Sequence, residues 1–148
     1  MIRPCTARDV DAVARIWLEC SCSAHAFIPR AHWEARLEDL RGRYLPLSET
    51  VLFVDDDTGR IVGFMALIES YLAALFVAPS HQGRGIGSRL LELAVRMHPD
   101  LDLTVYAQNT RAVRFYRRHG FVCAQRRVEA ATGCEEWVMM REDARGCL

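Results

Sequence analysis

Three glycines alternate at Gly83, Gly85 and Gly87, and this short stretch constrains the fold more than any other part of the chain. It joins two segments of different period. Upstream, Tyr71 to Ala78 alternates as a strand, and Pro79 stops it. Downstream, Ile86, Leu90, Ala94 and Met97 form one stripe of a helix over 85–98, which Pro99 closes. Leu101 to Tyr106 then reads as a strand. Strand, helix and strand make a compact β-α-β crossover, so the two strands must be parallel neighbours.

The remaining segments are antiparallel in character. Met1 to Cys5 forms a short strand, and Thr6 to Asp9 reads as a capping box opening a helix over 7–22. Ser21 to Pro29 is a break, and Trp33, Leu37 and Leu40 mark a second helix over 30–43 that Pro46 ends. Val51 to Val54 and Arg60 to Glu69 are strands joined by a turn at Asp55 to Gly59. A short helix over 110–119 ends at Gly120. Phe121 to Val128 and Glu135 to Arg141 are the last strands, with a turn near Thr132 and Gly133. The order β-α-α-β-β-β-α-β-α-β-β predicts an α+β class. Its sheet is mixed and mostly antiparallel around a central parallel β-α-β unit, with helices on both faces.

The 148 residues suit a single domain over 1–148, and no linker, repeat or low-complexity tract divides them. All 19 basic residues are arginine. The absence of lysine excludes a Schiff-base lysine and the lysine-dependent phosphate loop. Any anion must therefore be held by arginine, backbone N–H groups, or both. The formal net charge is zero, which argues against bulk binding to nucleic acid or to an anionic membrane. No apolar run is long enough to span a bilayer, and the start lacks a signal-peptide pattern. A cytoplasmic protein is expected. Cys5, Cys20, Cys22, Cys123, Cys134 and Cys147 are scattered without a CxxC pair, so reduced thiols and no metal site are expected.

The glycine loop has a direct chemical reading. Without a Cβ, successive N–H groups can turn toward one point. The helix starting there adds unpaired N–H groups and the positive end of its dipole. Gln82, Gly83, Arg84, Gly85, Ile86, Gly87 and Ser88 thus form a candidate pyrophosphate cradle, with Arg84 as an added charge. A dinucleotide fingerprint fits worse, because Ser88 stands where its third glycine is needed. A tight turn without a ligand is the simpler alternative.

The pattern Gln82-x-x-Gly85-x-Gly87 resembles the acetyl-CoA loop of the GCN5-related N-acetyltransferase family. A second block, Asn109-x-x-Ala112-x-x-Phe115-Tyr116-x-x-x-Gly120-Phe121, resembles that family's helix after the fifth strand. The two motifs stand in family order over about 72–121; residues 7–50 match in layout only. Ser23 to Ile28 is similar to a segment in a subgroup of small bacterial members.

The resemblance implies a GNAT-like sheet and an acetyl-CoA-dependent N-acetyltransferase without a metal. An amine would attack the thioester directly, in a ternary complex. The acceptor would be a small-molecule or peptide amine. It also implies that the parallel strands splay apart, and that the pantetheine arm pairs with backbone near Phe76, Val77 and Ala78. An N–H here, with Val77 the best candidate, would meet the thioester carbonyl. Tyr116 is the candidate acid for the departing thiolate; a buried structural tyrosine is its alternative. Asn109, Ala112 and Phe115 complete the cofactor candidates, although Asn109 also suits a plain helix cap.

The acceptor side is less defined. Glu69 is a candidate base, and His25, Phe27, Trp33 and Tyr71 are candidate acceptor contacts; each also suits a core or surface role. Tyr44, Glu34, Glu38 and Asp39 are weaker candidates of the same kind. Arg111, Arg114 and Arg118 share a helix face that is either solvated or turned to a cofactor phosphate. Homodimerisation through sheet edges stays open. The competing reading is a non-catalytic acyl-CoA-binding domain of the same fold.

Overall fold

The computed structural model describes residues 1–142. One seven-stranded sheet carries the chain, in the order β1-β2-β3-β4-β5-β7-β6. The strands are β1 Ile2–Pro4, β2 Glu49–Val54, β3 Ile61–Ile68, β4 Tyr71–Val77, β5 Asp102–Tyr106, β6 Phe121–Val128 and β7 Glu135–Arg141. The helices are α1 Val10–Ala24, α2 Arg30–Glu34, α3 Leu37–Asp39, α4 Leu45–Leu47, α5 Ile86–Met97 and α6 Thr110–Arg118. β4 and β5 are the parallel pair and the other neighbours are antiparallel, as the class requires.

Helices cover both faces, so β2 and β3 are buried almost end to end rather than alternately. One face packs Leu52, Phe64 and Ala66 against Val13, Ala14 and Ile16 of α1. The other packs Met65, Leu67 and Leu103 against Leu90, Leu91 and Ala94 of α5. Leu90 and Leu91 are fully buried. Burying a leucine side chain contributes roughly 1.5–3 kcal/mol, which fixes α5 and the loop ahead of it to the sheet.

The first helical region differs from expectation at both ends. Ala7–Asp9 is a 3-10 turn, and α1 runs on to Ala24, so the break begins at His25. Asp9 does anchor the turn: its carboxylate accepts the Thr6 N–H at 2.8 Å and two Arg3 N–H groups at 2.8 and 3.0 Å. The Arg3 guanidinium holds that carboxyl well below the usual carboxylate range.

The single helix expected over 30–43 is instead four short turns: α2, α3, a π-helical turn Leu40–Tyr44, and α4. Pro46 lies inside α4 rather than ending the helix. At a first-turn position its missing N–H leaves no helical bond unmade. Cys5, Cys20, Cys22, Cys123 and Cys134 are free thiols, and Cys147 lies outside the described residues. No described helix is long and apolar enough to cross a membrane.

Candidate active site

The site arises where the parallel pair parts. β4 and β5 pair only at Tyr71↔Asp102 and Leu72↔Leu103. Ala73 is an extra residue in β4, because Leu72 opposes Leu67 while Ala74 opposes Ala66. Such a bulge bends its strand. Beyond it β4 stays with β3 and separates from β5.

The separation leaves a backbone edge without a strand partner. The Ala78 N–H donates to the Val62 carbonyl at 2.8 Å. Antiparallel alternation therefore turns the N–H and C=O of Val77 away from β3, toward the gap. The Val77 carbonyl there accepts the Gln82 Nε2–H at 2.9 Å and the Cys20 thiol at 3.3 Å. Burial pushes that thiol up to about 12, so it is a packing and hydrogen-bonding group rather than a nucleophile.

A cavity of about 690 Å³ fills the gap. Leu75, Phe76 and Val77 of β4 form one wall, and Asn109, Ala112, Phe115 and Tyr116 form the opposite one. Gln82, Gly83, Gly85, Ile86, Gly87 and Ser88 line one end. Arg84 is exposed and not part of the lining. Gly83 and Gly85 have φ of 78° and 80°, in the left-handed region that L side chains avoid. The first helical bond of this segment runs from the Arg89 N–H to the Gly85 carbonyl at 3.1 Å. The N–H groups of Ile86, Gly87 and Ser88 therefore have no helical partner. The loop's start is fixed by His81, whose Nε2 meets Asp55 Oδ2 at 3.0 Å and whose Nδ1 meets Ser80 Oγ at 2.8 Å.

The Arg111 guanidinium donates to Gln82 Oε1 at 3.0 Å, joining the two walls. Arg111 and Arg118 line the cavity, while Arg114 does not. Tyr116 is buried, and its hydroxyl bonds to no other described residue. Burial pushes this phenol well above its ordinary value, with Tyr71 adding to the effect. Asn109 is a cap and more: its Oδ1 accepts the Ala112 N–H at 3.3 Å, and its Nδ2 faces His25 Nε2 at 3.3 Å.

That contact defines His25. Nε2 accepts from Asn109, so the ring proton sits on Nδ1, which is buried without a partner. The ring packs among Phe27, Trp33 and Tyr106, with centroids 4.9–5.8 Å away. Burial brings His25 down to about 4, against a weaker upward pull from Glu129. His25 is therefore neutral at physiological pH and has no lone pair to offer a substrate.

Its titration carries a stability consequence. Below pH 6.5 the unfolded chain binds a proton that the folded ring refuses until about pH 4. Stability from this group is complete above 6.5 and is lost as pH falls toward 4. A shift of that size corresponds to roughly 3 kcal/mol. Urea unfolding at pH 7.5 and 4.5 should show a difference smaller by about that amount in His25→Phe; an unchanged difference would exclude His25 as its source.

A second cavity, of about 240 Å³, lies on the α1 face. Trp17, Trp33, Tyr44, Tyr71 and Tyr106 give it aromatic walls, and Asp39 and Glu129 also line it. The Tyr71 hydroxyl bonds to Thr104 Oγ1 at 2.7 Å. Trp33 and Tyr71 thus reach a cavity as expected candidates, whereas Phe27 lines neither. Glu34 and Glu38 also line neither.

Glu69 is not brought to either cavity. It is exposed in the two-residue β3–β4 turn, at φ 55°. The tight register Ile68↔Tyr71 puts it at the hairpin tip instead of on a strand. Tyr106 and Glu129 are the principal lining residues outside any motif. Tyr106 was detectable as the last residue of the strand before Asn109; Glu129 sits in the β6–β7 turn and carries no local signal. No group of three or more His, Cys, Asp or Glu among the described residues could hold a metal ion.

A parallel pair split by a bulge, with a glycine cradle at the following helix, is the arrangement that the resemblance to the N-acetyltransferases implies. The chain belongs to the GCN5-related N-acetyltransferase family: it matches the Acetyltransferase (GNAT) domain model over residues 48–123. It is 33% identical over 140 residues to Peptidyl-lysine N-acetyltransferase YiaC of Escherichia coli (strain K12), covering 94% of each chain. The solution structure of apo-form YjaB from Escherichia coli matches with a TM-score of 0.82 and 30% identity, covering 96% of this chain and 97% of that one. PaiA N-acetyltransferase from Thermoplasma acidophilum, solved with coenzyme A, shares the fold with a TM-score of 0.77 at 18% identity, covering 95% and 97%.

Proposed function

We propose that this protein moves the acetyl group of acetyl-CoA onto the ε-amine of a lysine in a peptide or protein, by direct attack in a ternary complex. One observation carries the transfer reading. The edge of β4 that lacks a strand partner opens into a cavity with a backbone N–H cradle at one end and the free Tyr116 hydroxyl on its wall. The lysine class comes from the similarity to YiaC.

The residues present fit the co-substrate. The cradle from Gly83 to Ser88 would hold the pyrophosphate through N–H groups, with Arg111 as a nearby charge. The edge of β4 at Leu75 and Val77 would pair with the amides of the pantetheine arm. The Val77 N–H would polarise the thioester carbonyl as negative charge develops on its oxygen. The neutral amine forms a C–N bond to the carbonyl carbon, and the C–S bond breaks. The nitrogen gives up its proton to solvent, and the sulfur leaves as a thiolate that takes one back. Tyr116 would give that sulfur a hydrogen bond as charge develops on it, and the thiolate then takes its proton from solvent. Glu69 takes no part, being at the hairpin tip.

Because the chain contains no lysine, any acetyl-lysine formed in an assay belongs to the acceptor. With acetyl-CoA and a lysine-containing peptide, the peptide should gain one acetyl group per free thiol released. A binding domain of the same fold would take up acetyl-CoA and release no thiol.

A further inference from the structure

The 240 Å³ cavity has a composition that points to one kind of acceptor, and this rests on the transfer reading above. Six aromatic residues line it: Trp17, Trp33, Tyr44, Phe64, Tyr71 and Tyr106. Trp33 stands edge-on to Trp17 at 5.7 Å and to Tyr106 at 6.4 Å. An aromatic face that stays open to the cavity attracts a cation. The volume lies below the ~300–1,000 Å³ of sites that enclose drug-sized molecules, so a slim arm fits and a multi-ring amine does not.

The charge in this cavity is set by Glu129. Its Oε1 accepts the Tyr106 hydroxyl at 2.7 Å and the Thr132 hydroxyl at 2.8 Å. Those two bonds hold the carboxylate still, and no ion pair with a described residue engages it. Its neighbours differ: Glu135 pairs with Arg126, and Glu136 with Arg127 at 2.7 Å. Arg36, the cation on the cavity wall, turns its Nε–H to His32 Nε2 at 3.0 Å. Asp39, the other lining carboxylate, is exposed on α3.

We propose that Glu129 is the docking carboxylate for the acceptor, receiving the ammonium of an unbranched alkyl arm that runs along the aromatic wall to which Trp33 and Tyr106 contribute. The hydroxyls occupy Oε1, which leaves Oε2 for the incoming cation. This selects a lysine-type side chain over an amine on a bulky ring system. It makes Glu129 a specificity-determining residue that receives the amine as its ammonium; that nitrogen loses a proton to solvent before it attacks the thioester.

The test uses Glu129→Gln, whose amide oxygen can still accept both hydroxyls. KM for a lysine peptide should rise roughly 10- to 100-fold, the range expected for losing a charged hydrogen bond. The acetyl-CoA Kd should stay near wild type, and Glu129→Asp should recover part of the loss in KM. An unchanged KM, or a fall confined to kcat, overturns the proposal. A binding arm keeps it separate from the transfer reading. Nα-acetyl-lysine methylamide should bind the CoA-loaded wild type, and bind Glu129→Gln more weakly by the same factor, whether or not acetylation occurs. An aminoglycoside that competes as well as the lysine probe overturns the slim-arm selection.

Discussion

Tyr116→Phe is expected to lower kcat about 100-fold while the acetyl-CoA Kd stays within about twofold. The substitution removes only an oxygen. The ring keeps its packing against Phe115 and Phe121, with centroids 5.3 and 5.9 Å away. No described residue loses a hydrogen bond, because the hydroxyl makes none with them, so the fold should be indifferent. What is lost acts on the leaving group. A phenol held above its ordinary value stays protonated across the working pH range. Full transfer of its proton to a thiolate, whose acid has a pKa near ~8.5, is uphill. The main contribution is therefore an O–H dipole directed at charge developing on sulfur, and the rate should show no pH limb from this residue. Stopped-flow turnover with calorimetric Kd separates the two quantities. Equal turnover would remove Tyr116 from the leaving-group role.

Gly85→Val is expected to weaken acetyl-CoA roughly 100-fold or more, the scale of losing two charged hydrogen bonds. A Cβ on Gly85 meets nothing within 4 Å, so no clash is involved. The cause is the φ of 80°, which costs an L residue about 1–2 kcal/mol and a β-branched one more. The loop relieves that cost by changing its path, which re-aims the N–H groups of Gly85, Ile86 and Gly87. Gly133→Val is the control, with a φ of 72° and open space around it, but in the β6–β7 turn. It should lose similar stability and keep its cofactor Kd. Equal Kd values for Gly85→Val and wild type would remove the cradle.

The parts of the site that could be read from sequence are those built by local rules. Alternating glycines before a helical stripe need only a turn and a helix start, and the Asn109 cap needs only the residues beside it. Both motifs therefore land on the cavity they imply. The acceptor side is assembled across the chain: His25 meets Asn109 84 residues away, and Tyr106 meets Glu129 23 residues away. No spacing rule reports such pairs. Glu69 misleads for a related reason. Strand alternation carries it into β3, but a two-residue hairpin at Glu69 and Ser70 ends the pairing one position earlier. The segment 30–43 shows the limit of helical periodicity, since Trp33, Leu37 and Leu40 keep their inward positions through a mixture of α- and π-helical turns.

The central claim is catalysis on an amine, and release of free CoA thiol from acetyl-CoA measures it most directly. The expected result is thiol release that requires both the protein and a lysine peptide, matches the acetyl-lysine formed, and falls about 100-fold in Tyr116→Phe. Saturable acetyl-CoA binding with thiol release no faster than in buffer, for lysine peptides and small amines alike, would contradict it and leave a binding domain in its place.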